Sequence, residues 1–277
     1  MKARLKNNNL GLFLSAGTLI FFILAALFAG YIAPHDPEKV NLELRLKEPC
    51  REYPFGTDHL GRCILSRIIF GARVSLLVGL LVVSSSFVLG LAIGTLSGYY
   101  GGWTDEIVMR VVDAFLAFPS LLLALGIAGL FGAGFMNLVI ALITVDWAGY
   151  ARLARGSVMT VKEQDYIKAA KGLGAGDMHV ILCHVIPNVI SPLIVMATIG
   201  MGYVILSAAG LSFLGFGVQP PTPEWGSMLS EGKTYIRSAP YIMIFPGIAI
   251  MLTVLAFNYL GDELRDLLDP REKKDID

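Results

Sequence analysis

The chain has 277 residues, of which 55% are hydrophobic and 16% charged. With Tyr set aside and Gly counted, about 62% of it is apolar, against about 45–50% in a soluble domain, which argues against an ordinary cytosolic enzyme and excludes a disordered chain. Three Cys cannot hold a disulfide framework, and 22 basic against 22 acidic residues give no reason to expect nucleic acid as a partner.

A helix needs about 20 apolar residues to cross the roughly 30 Å hydrocarbon layer. Leu10 to Ala33 is a charge-free run of 24 residues. Lys2, Arg4 and Lys6 precede it as they would a signal peptide, but the run is too long for a typical h-region, and an uncleaved anchor is the better reading. Val74 to Gly98 is a second charge-free stretch. Ile107 to Phe131 is a third, with Arg110 and Asp113 in its first two turns. Met136 to Tyr150 is shorter and holds Asp146; Val189 to Phe213 and Tyr241 to Leu260 complete six spans. The expected class is therefore an all-α integral membrane protein with both termini on one side. With the N-terminus inside, the inner segments hold 13 Lys and Arg and the outer ones nine, a modest preference for cytoplasmic termini.

Two segments outside the spans are long. Pro34 to Arg73 lies on the outer side. Arg152 to Asn188, on the inner side, reads as two short helices joined by glycines. Thr160-x-x-Glu163 is a capping-box pattern for a helix through Tyr166, Ile167, Ala169 and Ala170, which Gly172, Gly174 and Gly176 would end. Asp177 would cap the next helix, whose Met178, Ile181, Leu182 and Val185 have the spacing of one apolar face, with Pro187 and Pro192 stopping it.

Lys168-Ala169-Ala170, then Gly174, then Ile186-Pro187 resembles the EAA loop of ABC importer permeases, with Lys168 where that family has Glu and His184 where Ile is usual. The resemblance runs from about Pro34 to Pro270. Gly56-Thr57-Asp58-His59-Leu60-Gly61-Arg62, Gly98-Tyr99-Tyr100-Gly101-Gly102, Pro220 to Gly226 and the ending Gly261-Asp262 to Asp269-Pro270 look like segments of the dipeptide, oligopeptide and nickel importers.

That resemblance implies an N-terminal tail (1–9), an anchor helix (10–33), an extracytoplasmic segment (34–73), a five-helix type-1 core (74–262) with a coupling loop (152–188), and a cytoplasmic tail (263–277). It implies a bacterial or archaeal cytoplasmic membrane, a second permease subunit, two ATP-binding subunits that hold ATP and Mg, and an extracytoplasmic binding protein. The loop with Lys168, Ala169, Ala170, Gly172, Gly174, Ile186 and Pro187 would couple ATP hydrolysis to alternating access, and the chain itself would need no cofactor. Asp58 to Arg62 and the Ala208-Ala209-Gly210 run before Leu211 look like the nickel branch, so nickel, free or chelated, is the expected cargo and short peptides the alternative.

Small residues Gly90, Ala92, Gly94, Ser97 and Gly98 would allow close helix contacts in lipid. Arg110 and Asp113, spaced i, i+3, are expected to pair with each other, while Asp146 has no opposite charge within a turn and either lines the pathway or faces water at the inner vestibule. Asp113 is the second pathway candidate. Arg152 and Arg155 are expected to snorkel at the inner boundary. Cys50 and Cys63 share the outer segment and are compatible with two free thiols, with a disulfide in an oxidising compartment, or with a metal site that includes His59.

Enzyme motifs fail on inspection. Gly232-Lys233-Thr234 imitates a phosphate loop but has Ser227 where Gly is needed, and the four His are scattered over both sides. A secondary transporter or channel working alone remains the other class, and it predicts internal repeats or several unsatisfied intramembrane charges, neither of which the sequence contains.

Overall fold

The computed structural model describes the backbone of residues 2–268 and the side chains of 11–268. Lys2, Arg4 and Lys6, used above for orientation, have side chains outside the described residues, as do residues 269–277 with Asp269 and Pro270. The regular secondary structure of the described residues is helical, with an isolated bridge between Thr57 and Cys63 in the irregular segment before residue 64. In chain order the helices are α1 (Lys2–Leu27), α2 (Ala29–Ile32), α3 (Ile64–Tyr100), α4 (Gly102–Leu116), α5 (Ser120–Phe131), α6 (Phe135–Lys162), α7 (Asp165–Gly172), α8 (Asp177–Val180), α9 (Ile186–Phe213), α10 (Trp225–Gly232) and α11 (Tyr241–Leu268).

An all-helical chain is what a membrane requires, because each helix satisfies its own backbone hydrogen bonds where no water can. Among the described residues, α3, the stretch Asp177–Phe213 and α11 are long and apolar enough to cross, and α4 with α5 would make a fourth crossing if counted together. Several expected boundaries change. The second span begins ten residues early, at Ile64, and the expected tail from 263 on continues α11 to Leu268. The expected third span is broken: α4 and α5 meet at 89° around Ala117 to Pro119. Pro119 has no N–H to continue the helix and disfavours helical backbone at Phe118. Asn137 closes the far end of α5 by donating to the Phe131 and Gly132 carbonyls at 2.9 and 3.2 Å.

The fourth span does not stop at Tyr150. Helix α6 runs on to Lys162, so Thr160 lies inside it and donates back to the Gly156 carbonyl, and no capping box forms with Glu163. Pro187 and Pro192 do not end a helix either. Residues Ile181–Val185 form a π-helical turn that joins α8 to α9, with Pro187 in the first turn of α9 and Pro192 inside it. A proline early in a helix removes an N–H that would be unpaired in any case, and a π turn is one of the devices by which a helix absorbs such an interruption. The helix α8 is capped by Gly176, and Asp177 lies in its first turn. Of the expected apolar face, Ile181 and Val185 are buried, together with Val180, while Met178 and Leu182 face outward.

The helices pack through small residues. Gly90, Gly94 and Gly98, one turn apart on α3, lie against α6. A Cβ at Gly90 would sit 2.3 Å from the Tyr150 Cβ, and one at Gly94 2.3 Å from the Ala151 carbonyl oxygen. Ala92, grouped with them in the sequence, is exposed. At the end of the bundle opposite α7, α10 fills the middle: Trp225 is fully buried among residues of α1, α3, α9 and α11, and its indole N–H donates to the Ile68 carbonyl at 3.0 Å.

Gly94→Ala should force α3 and α6 apart and cost about 1–3 kcal/mol of stability, the usual range for overpacking. Gly156→Ala, where nothing lies within 4 Å of the new Cβ, should be neutral or better. Thermal unfolding of the two variants in detergent checks both outcomes.

Candidate functional site

Three sites are built on this frame. The first is a cavity of ≈ 1050 Å³ between α4, α5, α6 and α9. It extends from Leu153, Pro187 and Arg265, at the end where α7 lies, to Leu142, Tyr203 and Ser207 halfway along the bundle. Its wall is mostly apolar and its charged liners are Asp146 and Arg265. The 89° bend brings Ser120, at the start of α5, to the cavity, where its hydroxyl is hydrogen-bonded to that of Tyr203 on α9. Asp146 projects from α6 beside the Ser86 hydroxyl, and its Oδ2 and Ser86 Oγ are both buried and outside hydrogen-bonding geometry.

Asp113 is not part of this wall. It is bonded to Arg152, and Arg110 faces Glu106 at 3.9 Å, so the expected Arg110–Asp113 pair is not formed. On a helix each charge has neighbours three and four residues away on both sides, and an arginine on the facing α6 was the better partner for Asp113. Arg155 does not snorkel but binds Asp105 with two hydrogen bonds, of 2.6 and 3.0 Å, and Asp105 also accepts from Ser97 at 2.6 Å.

The second site is the elbow formed by α7, α8 and the π turn. Its inner side is buried: Ile167, Val180, Ile181 and Val185 share a core with Tyr99 of α3 and with Ala154 and Val158 of α6. Its outer side presents Leu173, 91% exposed, Met178, 61%, and Leu182, 56%. Of the residues singled out in the loop, Lys168 and Ala169 are exposed on α7, Gly172 ends that helix, and Gly174 has φ +88°, a conformation that L side chains rarely adopt. Ile186 and Pro187 begin α9, away from α7 in sequence but on the same elbow. Lys168 lies 3.3 Å from Glu163, an exposed pair of little energetic weight.

The third site is a buried ionic clamp at the opposite end. Arg62 reaches Asp58 at 2.7 Å and Glu231 at 2.8 Å, and Arg67 reaches the same two carboxylates at 2.5 and 2.6 Å. Burial acts to raise the Asp58 pKa, but Arg67 and Arg62, helped by backbone amides, outweigh it and hold the carboxyl below its ordinary range. His59 joins Asp58 and Glu231 in a cluster of metal-ligand types, and burial holds its pKa down. Both carboxylates already serve two guanidiniums, which leaves little attraction for a cation. Cys50 and Cys63 are free thiols, so the cross-link is not made, and His59 groups with the two acids rather than with the cysteines. The clamp ties the segment before α3 to α10. Next to it Glu224 caps α10 by accepting from the Gly226 and Ser227 amides at 2.8 Å each, and burial pushes its carboxyl up.

Residues 90–274 match the model of the family described as binding-protein-dependent transport system inner membrane component. The chain belongs to this family of ABC importer permeases. Residues 2–49 match the N-terminal transmembrane domain of oligopeptide transport permease C. Among curated relatives, the dipeptide transport system permease protein of Alkalihalophilus pseudofirmus is 44% identical over 98% of this chain and 88% of its own length. The glutathione transport system permease protein of Pectobacterium atrosepticum is 43% identical over 94% of this chain and 87% of its own.

The fold is also that of solved transporters. A chain of the methionine transporter MetNI, in inward-facing crystals, aligns with a TM-score of 0.62 at 18% identity over 74% of this chain and 98% of its own. A chain of an amino acid ABC transporter with histidines gives 0.56 at 17% identity, over 74% and 95%. The permease is thus a multi-pass inner-membrane component that works with a binding protein and with ATPase subunits, and is not itself an enzyme.

Sequence reasoning missed the clamp because it counted Arg62 and Arg67 among the outer basic residues. Both are 1% exposed. Their spacing after Asp58 was visible, but their shared second partner, Glu231, is over 160 residues away.

Arg67→Met should destabilise the permease by about 3–5 kcal/mol, because it leaves two buried carboxylates to a single guanidinium. Exposed Arg110→Met should cost well under 1 kcal/mol. Since the Asp58 pKa is depressed, its stabilisation is present above the ordinary carboxylate pKa of about 3.9 and lost as pH falls through the lower folded value. Unfolding midpoints of wild type and Asp58→Asn should therefore differ by a constant amount from about pH 7 to 5 and converge only below about pH 4.

Proposed function

We propose that this permease forms one half of the pathway of an ATP-driven importer of short peptides. The observation that carries the cargo is the pair of relatives at 43 and 44% identity over nearly the whole chain, whose names specify dipeptide and glutathione. The cavity favours the same reading over nickel. Its ≈ 1050 Å³ of largely apolar wall contains no His, whose imidazole is the side chain that suits nickel.

In this reading there are six crossings, made by the anchor α1, by α3, by the bent pair α4 and α5, by α6, by the joined α8 and α9, and by α11. The domain order is the one given from the sequence, with the core beginning at Ile64 and α11 running on to Leu268, and both termini and the elbow are cytoplasmic. A second permease faces the cavity and closes the pathway. Two ATPase subunits, holding ATP and Mg, dock on the elbows of the two permeases, and a binding protein delivers the peptide to the outer face. ATP closes the ATPase dimer, the elbows follow, and the cavity opens outward; hydrolysis returns it to the inward state. Asp146 is the acidic group in the pathway and would meet the peptide's amino group. Asp113 is not in the pathway.

Cells lacking this subunit should regain uptake of a labelled dipeptide when the chain is restored, and lose it again when ATP is depleted with ion gradients held. Restored nickel uptake without dipeptide uptake would overturn the cargo, and uptake that survives ATP depletion would overturn the mechanism. Leu182→Asp or Met178→Asp places a charge on the exposed elbow face, so the ATPase subunits should fail to co-purify with a permease that still folds.

A further inference from the structure

We propose that Tyr99, Asp177 and Lys171 form the clasp through which a displacement of the elbow is delivered to the α3–α4 turn, and so to the cavity wall. The proposal rests on the reading that the ATPase subunits dock on the elbow.

Three elements meet at one carboxylate. The Tyr99 hydroxyl, at the end of α3, donates to Asp177 Oδ1 at 2.7 Å. Lys171, in the last turn of α7, lies 3.6 Å from the same oxygen and 4.5 Å from the centre of the Tyr99 ring. Its pKa is raised, first by the Tyr99 side chain and also by Asp177. The ring of Tyr99 is 7% exposed and sits in the core that holds the elbow together. Ring and hydroxyl thus have separate tasks: the ring packs, and the hydroxyl ties α3 to α8.

The turn that follows is built to change direction. Gly101 and Gly102 have φ +67° and +59°. A Cβ at Gly102 would meet nothing within 4 Å, and one at Gly101 only the end of Lys162 at 4.0 Å. Crowding therefore does not demand glycine here, in contrast to Gly90 and Gly94; the backbone conformation does. This turn aims α4, whose far end carries Phe115 and Leu116 to the cavity wall. Both sides of the turn are fastened to α6, by Lys162 donating to the Gly98 carbonyl at 2.8 Å and by the Arg155–Asp105 pair. A pull on Tyr99 thus acts at a glycine turn beside the Arg155–Asp105 pair, and with that pair as the pivot it tilts α4, whose far end carries the cavity wall. Tyr99 is a positioning residue that acts on the cavity through α4.

The test uses the complete importer, with both permeases, the ATPases and the binding protein, in proteoliposomes with labelled dipeptide. The readout is ATP hydrolysed per dipeptide carried. Tyr99→Phe keeps the ring and removes the hydroxyl. It should leave ATP hydrolysis within about twofold and reduce transport about five- to tenfold, the range of a modest coupling energy. Asp177→Ala, which removes the acceptor, should do the same, and the double variant should be no worse than either single one, as expected for partners in one interaction. Tyr100→Phe, 56% exposed and without a hydrogen bond from its hydroxyl, should leave the ratio unchanged.

An unchanged ratio in Tyr99→Phe, or transport and hydrolysis falling in proportion, would overturn the clasp. So would additive effects in the double variant. Leu182→Asp separates this from the underlying reading. If it releases the ATPases while Tyr99→Phe leaves the ratio intact, only the clasp fails; if the ATPases stay bound, the docking reading fails and the clasp with it.

Discussion

How closely α3 can approach α6 is the constraint on which the other features depend. In lipid no hydrophobic force drives two apolar helices together, so they associate where small residues let the backbones touch and dispersion contacts accumulate. Gly90, Gly94 and Gly98 make one such stripe, and Tyr150, Ala151, Ala154, Arg155 and Val158 fill it from α6. With that contact fixed, Arg155 lands on Asp105, Lys162 on the Gly98 carbonyl and Asp146 beside Ser86. The position of one cavity wall follows from the same approach, since α6 forms it.

Charge is used differently at the two ends of the bundle. Where the segment before α3 meets α10, two arginines and two acids are almost wholly withdrawn from water and neutralise one another. An arrangement of this kind is costly to break and adds little net stability over an apolar core, so what it supplies is a defined geometry between distant parts of the chain. At the elbow end the ion pairs are more exposed. The side chains of Lys171 and Asp177 are 49% and 52% exposed, a setting in which a contact can be made and lost at modest cost. The rigid end carries α10 with Trp225 at its centre, and the adaptable end carries the surface proposed for ATPase docking.

Much of the fold was legible because a membrane allows few solutions. Runs such as Val74 to Gly98 and Tyr241 to Leu260 could only be helices, and they are. The ends of the helices were not legible. Hydrophobicity falls where a helix leaves the lipid, whereas the helix itself continues as long as its backbone is satisfied, so α6 passed unnoticed through Arg152 and Arg155 to Lys162. Prolines were misread in both directions: Pro119 does break a span, at 89°, whereas Pro187 and Pro192 do not. The difference lies in the π turn ahead of Pro187, which no residue pattern announces.

The sequence by itself determined the class of the protein, its family and the position of the elbow along the chain, because these follow from the length of apolar runs and from motifs of contiguous residues. It also marked Asp146 as a charge without a local partner. Only the tertiary structure decided which charges pair and which stand in the cavity. Asp113 turned to Arg152 and not to Arg110, Arg62 and Arg67 found Glu231, and Tyr99 found Asp177. Each of those choices depends on which helix faces which and at what height. A pairing energy falls away within a few ångströms, while the partners it joins lie from 39 to 169 residues apart along the chain.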